Sequence, residues 1–339
     1  KAEGDDPLEV IDKDYEYVGF AVARGCNATF DNIIFRTSDA ATDDPWEARP
    51  SEYVATDYQI TSPATATDGT YTLVFTANAD GVATVTNETT GAVLVTGQNI
   101  TADEKYTLTC DMTEDTTFAV EFTPPDADYK INDYTFLSSY ETQTIRKEVS
   151  YRSFSNDTIY VTADGSASNQ GTSFTDAVDL ETALSYAKAG QTIILKAETY
   201  TLNSKLKIER GRDGKEDAYI TVETDPDSSE YAVFDFNQTG EGLEIWGDYW
   251  HFERINVTGS KSGSKGCQLS GHYDILEQMN FYNNGNSGLQ ISGSSAETIA
   301  DWPSNNTVLN CTSMNNADAA MEDADGFAAK LTCGEGNVF

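Results

Sequence analysis

The chain has 339 residues and carries 56 Asp and Glu against 21 Lys and Arg, a formal net charge of −35. That field argues against a nucleic-acid partner, and it means that any polyanionic substrate needs a local cation. No apolar run approaches the roughly 18 residues of a membrane-crossing helix, and the five cysteines are too few and too scattered for a disulfide scaffold or a zinc ribbon. The many Tyr, Phe, Thr and Val residues favour strands.

Residues 1–50 are expected to hold the closing strands of a partial lectin-like or jelly-roll domain, at about 17–22 and 28–35, since two strands alone cannot bury a core. Residues 51–124 read as an immunoglobulin-like β-sandwich. Short strands are expected at 71–75, 83–86, 92–95, 105–109 and 117–122, separated by turn clusters such as Asn78-Ala79-Asp80-Gly81 and Thr89-Thr90-Gly91. This segment carries no carboxylate or histidine cluster, which favours a spacer over a sugar-binding module. Pro124-Pro125 opens a polar linker, 125–156, with an edge strand or two.

Residues 157–339 form the main domain. A strand at 158–161 leads through a Gly/Ser-rich loop to a helix at about 179–188. Asp179 is its N-cap, and residues 180, 183, 184 and 187 make an apolar stripe. One amphipathic helix here would cap a solenoid, whose end otherwise exposes core and an open strand edge. Strands at 192–195, 205–208, 219–222 and 232–236 supply the first coils.

Beyond them one pattern returns. Gly242-Leu243-Glu244-Ile245 recurs as Gly266-Cys267-Gln268-Leu269, Gly288-Leu289-Gln290-Ile291 and Gly326-Phe327-Ala328-Ala329. The spacings are 24 (266 − 242), 22 (288 − 266) and 38 (326 − 288) residues. A second pattern rides on it: Phe252-Glu253-Arg254-Ile255-Asn256-Val257 matches Leu276-Glu277-Gln278-Met279-Asn280-Phe281 and Val308-Leu309-Asn310-Cys311-Thr312-Ser313. Self-similarity at this period marks a solenoid. Units this short, alternating and glycine-punctuated, are strands. The fold class is therefore all-β: a right-handed parallel β-helix, truncated in mid-repeat at Phe339, preceded by the sandwich. The hand follows from the near-universal right-handed crossover.

Asn283-Asn284 and Asn315-Asn316 recur after the third strand segment and predict a stacked ladder of turn amides. His251 and His272, the only histidines, pair with no Cys/His cluster, so packing or surface roles are expected rather than metal binding. Trp246, Tyr249 and Trp250 are expected to pack at the coil surface, where aromatics can also stack on a sugar. Cys267 and Cys311 fall on apolar positions and read as small core residues.

The candidate chemistry lies between Asp318 and Lys330. Glu241, Lys265, Ser287 and Asp325 each precede a repeat glycine, so Asp325 stands in one column with them. An extended Asp323-Ala324-Asp325 points both carboxylates to one side, and Glu322 and Asp318 add charge. Such carboxylates suit calcium, which takes about 6–8 oxygens. One coil cannot supply that many, but the next, about 4.8 Å away, can share the ion. The competing reading is a plain solvated acidic loop.

Ala324-Asp325-Gly326-Phe327-Ala328-Ala329-Lys330, followed by Gly334-Glu335-Gly336-Asn337-Val338-Phe339, resembles the motif of polysaccharide lyase family nine, the pectate and exopolygalacturonate lyases. Ile159-Tyr160-Val161, Gly171-Thr172-Ser173-Phe174, Gly190-Gln191-Thr192-Ile193, Val233-Phe234-Asp235-Phe236 and Tyr249-Trp250-His251-Phe252 carry the same resemblance across about 157–339. It implies a secreted, monomeric enzyme that cleaves polygalacturonate, or a related acidic polysaccharide, by Ca²⁺-dependent β-elimination. Within it Asp325 is a calcium ligand and Asp323 a second candidate. The resemblance also implies that the remaining ligands and the catalytic base lie beyond Phe339, so that this segment alone would be inactive. Two other readings stand beside it: a β-helix glycoside hydrolase using Asp323 and Asp325 as paired carboxylates, and a non-catalytic carbohydrate-binding or adhesive β-helix.

Overall fold

The computed structural model describes residues 58–124, 127–131, 134–138, 143–317 and 324–339. The strands expected within 1–50 lie outside the described residues. Among these residues no helix is long and apolar enough to cross a membrane.

The sandwich pairs a three-stranded sheet, ordered Tyr58–Ile60, Thr70–Ala77, Tyr106–Asp111, with a five-stranded one. The second sheet runs Thr65–Ala66, Gln143–Tyr151, Thr116–Thr123, Gly81–Asn87, Ala92–Ile100. Alternation fills the space between them: Tyr71, Leu73 and Phe75 from one sheet meet Val85, Phe118, Val120 and Phe122 from the other. Within the expected linker Gln143–Tyr151 is a nine-residue strand, though not an edge one: Gln143–Val149 pair with Thr116–Phe122, and Ser150 and Tyr151 with Thr65 and Ala66. Of its side chains only Val149 is buried, so its composition is that of a polar connector although its backbone completes a sheet.

The sandwich docks on the helix that opens the second domain. Thr65 Oγ1 donates to Ser185 O at 2.9 Å and Thr67 Oγ1 to Tyr186 O at 2.6 Å, satisfying carbonyls that the end of a short helix leaves unpaired. Ala64 N–H donates to Glu209 at 2.8 Å, and Lys105 pairs with Asp301 at 2.6 Å.

That helix spans Leu180–Tyr186. Asp179 caps it, accepting from Thr182 N–H at 2.8 Å. Leu180, Ala183 and Leu184 are buried against the first coil, as expected of a cap.

The coils follow as three parallel sheets. The first stacks Thr158–Val161, Thr192–Leu195, Ile220–Thr224, Trp250–Glu253, Ile275–Glu277 and Thr307–Leu309. The second stacks Thr199–Thr201, Ala232–Asp235, Ile255–Thr258, Asn280–Tyr282 and Thr312–Met314. The third stacks Leu206–Ile208, Leu243–Ile245, Cys267–Leu269, Leu289–Ile291 and Phe327–Ala329. Leu243, Cys267, Leu289 and Phe327 are in register down one column. The turn from the first sheet to the second is made at Arg254, Gln278 and Asn310, all left-handed with φ between 51° and 57°. Gly242 (φ 92°) lies against the next coil so closely that a methyl group on it would meet Lys265 O at 2.1 Å, which explains the recurring glycine.

Two amide ladders run along the turns. Asn284 and Asn316 form the expected one. Asp274, Asn306 and Asn337 form a second that the repeat pattern did not reveal. Trp250 corrects the surface placement expected for it: it is fully buried, with its indole N–H donating to Arg212 O at 2.6 Å. Tyr249 does lie outside, stacked on Tyr273 at 5.0 Å. Cys267 is a core residue, whereas Cys311 is half-buried and turns its thiol to Leu276 O.

Candidate active site

The outer face of the third sheet presents Lys207, Glu244, Gln268 and Gln290 in one row, because each lies between two buried residues and occupies the same register on its coil; Ala328 continues the register on the last coil. A row along the edge of this sheet carries Glu241, Lys265, Ser287 and Asp325. Gly266 N–H donates to Ser287 O and Gly288 N–H to Asp325 O, both at 2.9 Å, which fixes the step from coil to coil. Asp325 N–H in turn donates to Ser287 Oγ at 3.2 Å. Asp325 thus stands where the glycine spacing puts it. Asp323, with Asp318 and Glu322, lies outside the described residues.

This face is a band of alternating charge. Lys205 Nζ bonds Glu244 at 2.6 Å and reaches Glu241 at 3.4 Å, and Lys261 also pairs with Glu241. Those partners hold the Glu241 carboxyl below the usual range, Lys261 most, and the Glu244 hydrogen bond raises the Lys205 ammonium. Lys265 differs. Burial pushes its ammonium down, the neighbouring Lys330 and Lys205 add to the effect, and Glu244 opposes it; among the described residues its Nζ donates to the neutral Gln268 amide at 3.1 Å. Lys205, Glu241, Glu244, Lys265 and Gln268 enclose a hollow of about 110 Å³. Trp246 lies next to the band, with Arg210 over its ring at 5.3 Å and Lys207 at 5.8 Å. In a chain of net charge −35, this is a place where lysines gather on one flat face.

At the far coil Lys330 Nζ holds Asp325 Oδ2 at 2.7 Å, both side chains being open to solvent. The donor type suits a hard cation, since carboxylate oxygen on a rigid coil edge is what calcium takes. The donor number among the described residues does not: one carboxylate offers two oxygens where about 6–8 are needed, and a lysine already occupies one of them.

Sequence reasoning located Asp325 by its column but gave no warning of the Lys330 contact. Reasoning also passed over Lys265 as a depressed lysine, since burial outside a strand core leaves no mark in the repeat.

Comparison with known proteins adds three kinds of finding. Residues 159–339 match the family model of the Pel9A-like, right handed beta helix region, and residues 59–140 match that of the pectate disaccharide-lyase central Ig-like domain. Pectate lyase L of Thermoclostridium stercorarium is 37% identical over 95% of this chain and 25% of its own length, and pectate disaccharide-lyase of Dickeya chrysanthemi is 28% identical over 99% of this chain and 41% of its own. The crystal structure of pectate lyase Pel9A is 30% identical over 53% of this chain and 45% of that one, with a TM-score of 0.46. The chain thus spans between a quarter and half of the length of these relatives.

Proposed function

Because the chain belongs to the Pel9A-like right-handed β-helix family, we propose that it supplies the first coils of a secreted pectate lyase that cleaves polygalacturonate by β-elimination, with Asp325 and Asp323 as calcium ligands. The position of Asp325 carries this reading. The aspartate of the Asp-Gly-Phe motif sits at the outer edge of the third sheet, at one end of a band of lysines.

The chemistry follows from a uronide substrate. Its C5 proton is α to a carboxylate, so losing that proton builds enolate-like charge on the carboxylate. The C5–H electron pair becomes the C4–C5 double bond, the C4–O bond breaks, and the departing sugar takes up a proton. No water is consumed. Calcium, when bound, would stabilise the carboxylate charge that grows in this step.

The described residues act on binding. Lys205, Lys261 and Lys265 lie on one face and can receive successive substrate carboxylates, offsetting repulsion from a chain of charge −35. A ligand carboxylate would draw Lys265 towards its charged form, because an opposite charge offsets part of the burial cost. Lys330 keeps Asp325 compensated in the free chain and must swing away as a divalent ion takes its place. The proton acceptor and the remaining calcium ligands lie, in this reading, on coils beyond Phe339. The sandwich acts as a spacer.

The product decides. A protein carrying these coils together with the further length its relatives have should release unsaturated uronides from polygalacturonate, seen as ultraviolet absorbance of the conjugated double bond. New reducing ends without that absorbance would make it a hydrolase, and neither would leave a binding protein.

A further inference from the structure

We propose that His251, Glu253 and Glu277 form a binding site for a first-row divalent metal ion of the zinc class, on the first sheet and so on a different face of the coil from Asp325. The site is built by the β-helix register. His251 and Glu253 alternate with the buried Trp250 and Phe252, so both point outward from one strand. Glu277 sits opposite Glu253 on the next coil. One ligand atom from each of the three residues can be chosen so that all lie within 4.8 Å of one another.

The imidazole makes this more than an acidic patch. His251 Nε2 is buried and has no hydrogen-bond partner among the described residues, yet it lies 3.3 Å from Glu277 Oε2. With the imidazole neutral and its lone pair on Nε2, this nitrogen and the carboxylate oxygen are a pair that a shared cation would bridge. For bonds of about 2.0–2.1 Å in a tetrahedron, the distance between two ligand atoms is about 3.3 Å, which is the separation found. One imidazole nitrogen and two carboxylates make a three-ligand set that leaves a fourth position open to water. The nitrogen donor selects the borderline transition ions and discriminates against calcium, which takes oxygen.

Glu223 completes the surroundings. It stands one coil back in the same column as Glu253 and Glu277. Its carboxylate adds negative charge beside Glu253, which a cation in front of Glu253 would offset. Since Glu277 comes from one coil and His251 and Glu253 from the one before, a bound ion would staple two adjacent coils. It would raise stability by mass action, as any ligand of the folded state does.

The test uses the full 339-residue chain, stripped with a chelator and titrated with ZnCl₂ and CoCl₂ by calorimetry and visible absorbance. We expect one equivalent of Zn²⁺ to bind, Co²⁺ to show the intense visible bands of a four-coordinate ion, and Ca²⁺ to compete at least about 100-fold less well. His251→Ala and Glu277→Gln should each weaken Zn²⁺ by more than the ~10–100-fold that loss of an outer-shell partner costs. Circular dichroism of the metal-free variants checks their fold, and the outward, half-buried positions make them tolerable. Zn²⁺ binding of wild-type strength in His251→Ala would place the ion elsewhere, for instance on the free thiols, and overturn the proposal. So would equal affinity for Ca²⁺, or no binding at ~100 µM Zn²⁺ in wild type. Uronide release is not part of the readout, so failure here leaves the lyase reading untouched.

Discussion

Asp274→Asn should stabilise the β-helix, increasingly so as pH rises. Asn284 Oδ1 accepts from Ser260 N–H at 3.2 Å while its Nδ2 donates to Val257 O at 3.1 Å. Asn306 does the same with Asp274 N–H at 2.8 Å and Gly271 O at 3.0 Å. Asn316 uses Asn284 N–H at 3.1 Å and Phe281 O at 3.0 Å, and Asn337 uses Asn306 N–H at 3.1 Å and Pro303 O at 2.9 Å. In every case the acceptor carbonyl lies three residues before the donor N–H. Asp274 keeps the first bond, from Trp250 N–H at 2.8 Å, but its Oδ2 is buried without a partner among the described residues. The same rule sets that oxygen beside Gly247 O: a methyl group on Gly271 would meet Gly247 O at 2.0 Å and Asp274 Oδ2 at 2.5 Å. Two acceptors face each other where the asparagines place a donor.

This geometry favours the protonated carboxyl. Burial pushes it well above the ordinary range, the nearby Asp248 and Asp213 push it further, and the Trp250 hydrogen bond opposes them. An unfolded Asp loses its proton near pH 3.9. Above that the folded chain binds the extra proton, so stability falls by about 1.4 kcal/mol per pH unit from this residue until its raised folded value is passed. Asparagine removes that slope, because its amide supplies a donor at every pH where the carboxyl does so only when protonated. Guanidinium unfolding at a series of pH values from 4 to 9, followed by near-ultraviolet circular dichroism, should show the two proteins within about 1 kcal/mol near pH 4 and separating steadily above it. A difference that did not change with pH, or a less stable variant at neutral pH, would refute the reasoning.

Asp213→Asn should behave alike in a narrower window, because burial raises that carboxyl to about 6 and its influence on the slope ends there; the same titration reads it. Gly242→Ala combines a positive φ with a 2.1 Å approach to Lys265 O and should destabilise by at least about 2 kcal/mol, measured as a lowered unfolding midpoint. Thr67→Val removes the hydroxyl that satisfies Tyr186 O and should cost about 1 kcal/mol, seen as earlier proteolysis at the junction of sandwich and helix. Calcium calorimetry on the 339-residue chain should give an affinity no tighter than about millimolar, as expected where one carboxylate already shared with Lys330 is the described donor.

The repeat made much of the fold legible. The recurring glycines aligned Leu243, Cys267, Leu289 and Phe327, and at Gly242, Gly266 and Gly288 they mark a close approach to neighbouring atoms. The Asn284–Asn316 ladder was legible for the same reason, as identical dipeptides at equivalent turns. The second ladder was hidden by chemistry, because its first member is an aspartate where the others are asparagines. Trp250 lies in the core because it alternates in step with Phe252 along its strand, whereas Tyr249 beside it turns outward. A strand within 125–156 was expected, but only at an edge, because a strand with one buried side chain has little apolar pattern to show that it is paired on both sides. The cluster at His251 escaped because its partners are carboxylates, one of them on another coil, which no Cys/His spacing announces.

The role of Asp325 is best measured on a protein that carries these coils and the further length of its relatives. The observable is the initial rate of unsaturated uronide release across a calcium titration, in wild type and Asp325→Ala. We expect a calcium-dependent rate in wild type, abolished by chelator, and a rate in Asp325→Ala reduced by at least about 100-fold, as loss of a principal electrostatic group typically costs. An Asp325→Ala protein that kept both the wild-type rate and the wild-type calcium dependence would contradict the assignment of Asp325 to the site.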